Sequence, residues 1–310
     1  ITIIQNKINQ VVCSHGFSMK LCRTLAAFTV GEILFFKYAV RNKYRQYNME
    51  NQFSRTQMLL GQDAVDKLKA SKVAVFGVGG VGGYAVEVLA RSGVGNIDVF
   101  DADTVNITNL NRQVIALHST LEQAKVDVIK KRIHDINPKC VVGAYKMFYL
   151  PENADEINLN KYDYVVDCID TITAKVELIR RCKMLDVPYI SSMGAANKID
   201  ATGFKVADIS KTNIDPLAKV IRKKLRALGI EGVKVVFSEE KPLKPMGASH
   251  VQIKENDIIN ANADANEGAH KSKGKNSVPA SNAFVPAAAG IIVAGEVVKD
   301  LIGWGIISQV

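Results

Sequence analysis

Between Ser71 and Gln113 the chain runs through an apolar segment, a glycine-rich turn, a helical pattern, a second apolar segment and an acidic residue. Few folds accommodate that order. Val73 to Phe76 is short, apolar and rich in β-branched residues, which predicts a strand buried on both faces in a parallel sheet. In the turn that follows, Gly77 permits a tight reversal and Gly79 lets backbone approach a phosphate. Gly82 lets the next helix pack close to the strand. The N–H groups that open the helix predicted over 81–92 then face an anion, supported by the helix dipole. Ile97 to Phe100 predicts the next strand, and Asp101 at its end is placed to hydrogen-bond a ribose hydroxyl.

By itself such a loop favours an NAD- or FAD-dependent enzyme, its commonest owner, but a dehydrogenase needs few cations beyond the pyrophosphate. Here Asn109, Arg112 and Lys125 follow within a short distance. Arginine offers a planar fork and lysine a point charge, so the cluster suits the extra charge of a triphosphate. The pocket is therefore expected to hold a triphosphate.

Strand and helix signals alternate beyond the loop: strand 96–101, helix 122–136, strands 140–147 and 163–168, helix 172–185, strand 188–192. Alternation implies right-handed crossovers, hence a Rossmann-like, doubly wound α/β fold with a mostly parallel sheet. Ile199 to Ile209 and strand 233–238 predict an antiparallel extension. Asp215-Pro216 predicts the start of a helix that runs to Leu228 and stops before Gly229. Met49 to Leu68 reads as one or two amphipathic helices, and Phe284 to Gly303 as a last helix with many small residues. One domain is expected over 49–310, with a nucleotide half (70–192), a substrate half (193–310) and a flexible loop at about 240–280.

Residues 1–48 differ in character and are expected to lie outside the fold, with Met49 as the natural start. The alternative is a membrane anchor, but Leu25 to Val40 is 16 residues long and interrupted by Glu32 and Lys37. A bilayer-spanning helix needs about 20. The net charge of +9 favours an anionic partner such as nucleic acid over a neutral or basic one. Lys219, Arg222, Lys223, Lys224 and Arg226 share one predicted helix and form the densest basic patch, either a grip on RNA phosphates or a solvated face. The five cysteines include no Cys-x-x-Cys pair, which argues against zinc and disulfide frameworks and for a reducing cytoplasmic setting.

Phe53-Ser-Arg55-Thr-Gln, the Gly77 loop, Asp101-Ala-Asp-Thr-Val, Asn109-Leu-Asn-Arg112-Gln, Ala124-Lys125-Val and Asp167-Cys-Ile-Asp170 follow one another in a telling order. In that order the chain resembles the ubiquitin-activating-like, ThiF-type adenylating enzymes. Ile136-Asn-Pro138, Ser191-Ser-Met-Gly-Ala-Ala, Ala207-Asp-Ile-Ser-Lys-Thr, Val236-Phe-Ser-Glu and Ser281-Asn-Ala-Phe-Val-Pro resemble the branch of tRNA threonylcarbamoyladenosine dehydratases. The resemblance covers Met49 to the C-terminus.

The resemblance implies that Asp170 holds Mg2+, that Arg112, Lys125 and Asn109 bind the phosphates, and that Asp101 binds the ribose. It implies a homodimer in which Arg55 reaches the partner's ATP. The reaction implied is ATP-dependent cyclisation of threonylcarbamoyladenosine in tRNA, by adenylation of its carboxylate. Three other functions are open at this point: adenylation of the C-terminus of a small sulfur-carrier or ubiquitin-like protein, a non-catalytic nucleotide-bound scaffold, and an NAD-dependent oxidoreductase. Relatives that activate carrier proteins use a late cysteine; nothing after Cys182 supplies one.

Overall fold

The computed structural model describes residues 51–246 and 279–304. It divides into a unit of residues 1–54 and a unit of residues 55–310. Of the first, only 51–54 is described, a turn closed by Ser54 N–H donating to the Asn51 carbonyl at 3.0 Å. The expectations for residues 1–48 and for the centre of the loop, 247–278, lie outside the described residues.

The elements in chain order are α1 (Ser54–Leu60), α2 (Gln62–Ala70), β1 (Lys72–Phe76), α3 (Gly82–Ser92) and β2 (Asn96–Phe100). They continue with α4 (Lys125–Ile136), β3 (Val141–Tyr145), β4 (Tyr164–Asp167), α5 (Ile172–Met184) and β5 (Tyr189–Ser192). The last are β6 (Phe204–Asp208), α6 (Pro216–Ala227), β7 (Lys234–Ser238) and α7 (Val285–Ile302). Seven strands form one sheet in the order β3-β2-β1-β4-β5-β7-β6. Every pairing is parallel except β6 with β7. The doubly wound fold with an antiparallel extension is therefore as expected.

Alternation along β1 shows why the sheet is covered on both faces. Val73 and Val75 join a core with Ala85 and Leu89 of α3 and Val293 of α7, whereas Ala74 and Phe76 join another with Leu178 and Cys182 of α5. A third cluster packs Ile221 and Leu225 of α6 over Val235 and Phe237 of β7. The strand order reverses between β1 and β4, so a crevice opens at their carboxyl ends, where ligands of such sheets bind.

Helix ends follow local chemistry. The Asp215 carboxylate accepts from Ala218 N–H at 2.9 Å, with Pro216 opening α6. Gly93 and Gly303, both with positive φ, close α3 and α7.

Two expectations needed correction. The helix placed at 122–136 begins only at Lys125. Glu122 takes φ 62°, and residues 122–125 instead run antiparallel to 103–105, with Val105 N–H donating to Gln123 O and Lys125 N–H to Asp103 O. Amphipathic packing at 49–68 is stronger in α2, which buries Ala64 and Leu68, than in α1, which packs the half-buried Leu60 against the core and leaves Met58 and Leu59 exposed.

Candidate active site

Gly77 stands at the tip of β1 with φ 82°, a conformation unfavourable to residues with a side chain. Its N–H donates to Phe100 O at 2.8 Å, and a Cβ there would lie 2.7 Å from the Cys168 carbonyl oxygen. A Cβ on Gly82 would overlap the Gly77 carbonyl, so the loop closes on itself only because both positions are glycine. Gly79 is different: among the described residues its near neighbour is Gln113 Nε2, at 3.7 Å from where a Cβ would be. The cradle is tight underneath and open above, as backbone approach to a phosphate requires. Helix α3, with Val81 at its N-cap and no side-chain cap, starts here.

Asp101 reaches the loop directly. Its Oδ2 accepts from Val78 N–H at 2.8 Å and its Oδ1 from Asp103 N–H at 2.9 Å. Burial raises its pKa above the ordinary carboxylate value, against the opposing pull of Lys125 and the two N–H donors. Lys125, the first residue of α4, is buried; its ammonium donates to Asp103 Oδ2 at 2.6 Å and stands 4.0 Å from Asp101 Oδ1.

The short 3-10 turn Ile107–Asn109 ends on Asn109 and leads to Arg112. Asn106 caps it through Thr108 N–H, and Asn109 Oδ1 accepts from Asn106 N–H at 2.9 Å, so Asn109 is buried as the pin of this turn. The Arg112 stem lies beside Gly80, and its Nη1 donates to Thr108 O at 2.9 Å and Asn111 Oδ1 at 3.0 Å.

Asp170 is exposed on the turn between β4 and α5, and that turn packs on Gly77 through Cys168 and Ile169. The residue at the N-cap of α5 is Thr171. Among the described residues no group of three or more His, Cys, Asp or Glu is arranged to hold a metal. One exposed carboxylate beside a phosphate cradle nonetheless fits Mg2+, which keeps several waters and shares its shell with substrate phosphates.

The structure thus links the Gly77–Gly82 loop to Asp101 and Lys125, sets Arg112 beside Gly80, pins Asn109 in the turn before Arg112 and packs the turn that carries Asp170 on Gly77. Arg55 is exposed on α1. The basic helix needs dividing. Lys219, Lys223 and Arg226 are exposed at helical spacing on one stripe of α6, while Arg222 is tied to Thr212, donating to its carbonyl at 2.8 Å and to its hydroxyl. Arg222 anchors the segment before α6, so the patch is smaller than its count of charges suggested.

Gln113 and Asp167 fall inside the motifs quoted above, whereas Lys175 carries no local signal. Gln113 is buried beside Gly79, and among the described residues its Oε1 has no hydrogen-bond partner. Lys175 and Asp167 form an ion pair inside the fold at 2.9 Å. Cys140, Cys168 and Cys182 are free thiols, and burial pushes Cys168 up to about 12, which makes it a poor nucleophile.

Known proteins resemble this chain in sequence and fold. The chain is 49% identical over 257 residues to the tRNA threonylcarbamoyladenosine dehydratase of Bacillus subtilis, covering 82% of this chain and 96% of that protein. It superposes on the E. coli tRNA N6-threonylcarbamoyladenosine dehydratase in complex with AMP at TM-score 0.69 and 31% identity, covering 82% of this chain and 95% of that one. For the complex of the same enzyme with ATP the TM-score is 0.67 at 30% identity, with the same coverage. The pattern of the ThiF family matches residues 53–309, and this chain belongs to that family.

Proposed function

We propose that this chain is an ATP-dependent dehydratase that cyclises threonylcarbamoyladenosine in tRNA. Its support is the pairing of Asp101 and Lys125 at the phosphate loop, in a chain whose likeness spans 96% of the Bacillus subtilis enzyme.

The substrate carboxylate attacks the α-phosphorus of ATP and pyrophosphate leaves. A nitrogen of the carbamoyl group then attacks the activated carbonyl and AMP departs with the former carboxylate oxygen. Ring closure costs the nucleoside one water, and ATP becomes AMP and pyrophosphate. This sequence needs no enzyme nucleophile, which suits the raised thiol of Cys168. The protein's work is positioning and charge neutralisation. The N–H groups at Gly79 and the start of α3 receive the phosphates, Arg112 and Lys125 neutralise the leaving pyrophosphate, and Asp101 holds the ribose. Asp170 would hold Mg2+, which when bound shields the triphosphate charge.

The remaining parts of the reading rest on the sequence motifs. Arg55 acts across a homodimer on the partner's ATP, in the manner of an arginine finger. Lys219, Lys223 and Arg226, helped by Lys224, meet tRNA phosphates. One adenylation domain spans 49–310, and the cysteine spacing supports a cytoplasmic setting. Among the described residues no helix is long and apolar enough to cross a membrane.

Incubation with ATP, magnesium and bulk tRNA tests the reading: AMP is released and the modified nucleoside loses the mass of one water. Pyrophosphate exchange that requires a small carrier protein, or saturable NADH binding with indifference to ATP, would overturn it.

A further inference from the structure

Lys175, one turn into α5, is fully enclosed, as is its partner Asp167 at the end of β4. The ammonium donates to Asp167 Oδ2 at 2.9 Å, Ser191 Oγ at 3.1 Å and Ser192 O at 2.9 Å. Three donors meet three acceptors. Ser191 Oγ in turn donates to Asp167 Oδ2 at 2.6 Å, and Asp167 Oδ1 accepts from Ile169 N–H at 3.1 Å. The network therefore joins the ends of β4 and β5, helix α5, and the turn that presents Asp170.

Stability alone does not call for such an arrangement, since well-packed apolar side chains of similar volume often hold a core as well as a buried ion pair. They would not orient Ile169 N–H or the Ser192 carbonyl. The same turn bears on the phosphate loop, because Cys168 N–H donates to Phe76 O at 2.8 Å and the Cys168 carbonyl limits Gly77. A shift of the turn would move Asp170 relative to the phosphates.

We infer that Lys175 is a positioning residue which, through Asp167 and Ser191, fixes the Cys168–Thr171 turn and so sets the affinity of the Asp170 carboxylate for a phosphate-bound divalent cation. The inference rests on the reading of Asp170 as the cation's ligand. A purely structural ion pair would affect melting temperature and leave cation affinity alone.

The test uses the full chain and measures ATP binding by calorimetry without tRNA, in magnesium and in EDTA. Lys175→Met combined with Asp167→Asn removes both charges together, which avoids stranding one. Ser191→Ala is the mild variant that decides the matter if the double variant does not fold. Supporting groups of metal ligands typically contribute about 10- to 100-fold in affinity, so the double variant should weaken Mg2+-dependent ATP binding by about that factor. Ser191→Ala should shift it less but in the same direction, and binding in EDTA should match the parent for both. Folded variants that bind ATP in magnesium as the parent does, while Asp170→Asn is weakened, overturn the role of Lys175. If Asp170→Asn itself binds as the parent does, the reading of Asp170 fails, and the inference with it.

Discussion

The Lys125 ammonium, the cation assigned to the phosphates, donates to the Asp103 carboxylate at 2.6 Å, although Asp103 is 51% exposed and Lys125 only 6%. A buried cation with a surface partner can exchange that partner for an anion entering from solvent. On the proposed reading of Lys125, Asp103 competes with the substrate for it. Exposed partners contribute modestly, so Asp103→Asn should tighten ATP binding by about 2- to 5-fold and lower the melting temperature slightly. Calorimetry with unfolding curves checks both; weaker binding would exclude the competition.

On the proposed reading, Asp101 trades stability for recognition of the ribose. Burial raises its folded-state pKa, so ionising it costs stability. The sign follows: the folded form holds its proton more readily, and stability is lost as pH rises from the ordinary carboxylate value through the raised one. Asp101→Asn keeps an acceptor for Val78 N–H and should remove that pH dependence. It should bind ATP about tenfold more weakly, by losing a charge-assisted hydrogen bond to the ribose, and melt somewhat lower, because its NH2 replaces the acceptor of Asp103 N–H. Melting curves across pH and a binding isotherm test the two halves separately.

For the basic helix the structure separates two kinds of cation. Charge reversal at Lys219, Lys223 and Arg226 should weaken tRNA binding evenly across sequences. It should also flatten the dependence of log affinity on log salt, by roughly one unit for each phosphate no longer neutralised. Arg222→Ala should mainly lower stability, because its hydrogen bonds to Thr212 are internal. Filter binding over a salt series distinguishes them, and an unchanged slope in the triple variant removes α6 from the tRNA surface.

Site sharing between subunits has a counting test. Arg55→Ala and Asp170→Ala are each expected to be inactive alone. Random mixing makes half the dimers hybrid with one intact site of two, so activity should return to about a quarter. Zero recovery with hybrids demonstrated by native mass spectrometry would show that Arg55 does not act in trans.

Much of this fold was legible because its signals are local. The Gly77 loop, the strand bearing Asp101 and the Asp215-Pro216 cap each occupy a few adjacent residues with one favourable geometry. What escaped depends on distant partners. Gln123 pairs with Val105 rather than joining a helix, and helical periodicity cannot reveal that. Lys175 reads as an ordinary helical lysine until β4 and β5 enclose it. Arg222 looks like a surface charge until Thr212 is folded against it. In the site itself, the residue types showed which groups could bind a triphosphate, but only the fold shows that Lys125 is engaged by Asp103.

The last described helix bears on the first loop. A Cβ at Gly290 of α7 would overlap the Val81 carbonyl, and a Cβ at Gly80 would come within 3.2 Å of Pro286. The wall behind the phosphate turn is thus supplied from some 200 residues further along the chain. During synthesis the nucleotide-binding segment leaves the ribosome long before α7 does, and until then its apolar back is bare. A nascent or C-terminally clipped chain would carry every residue of the phosphate cradle and still lack its backing.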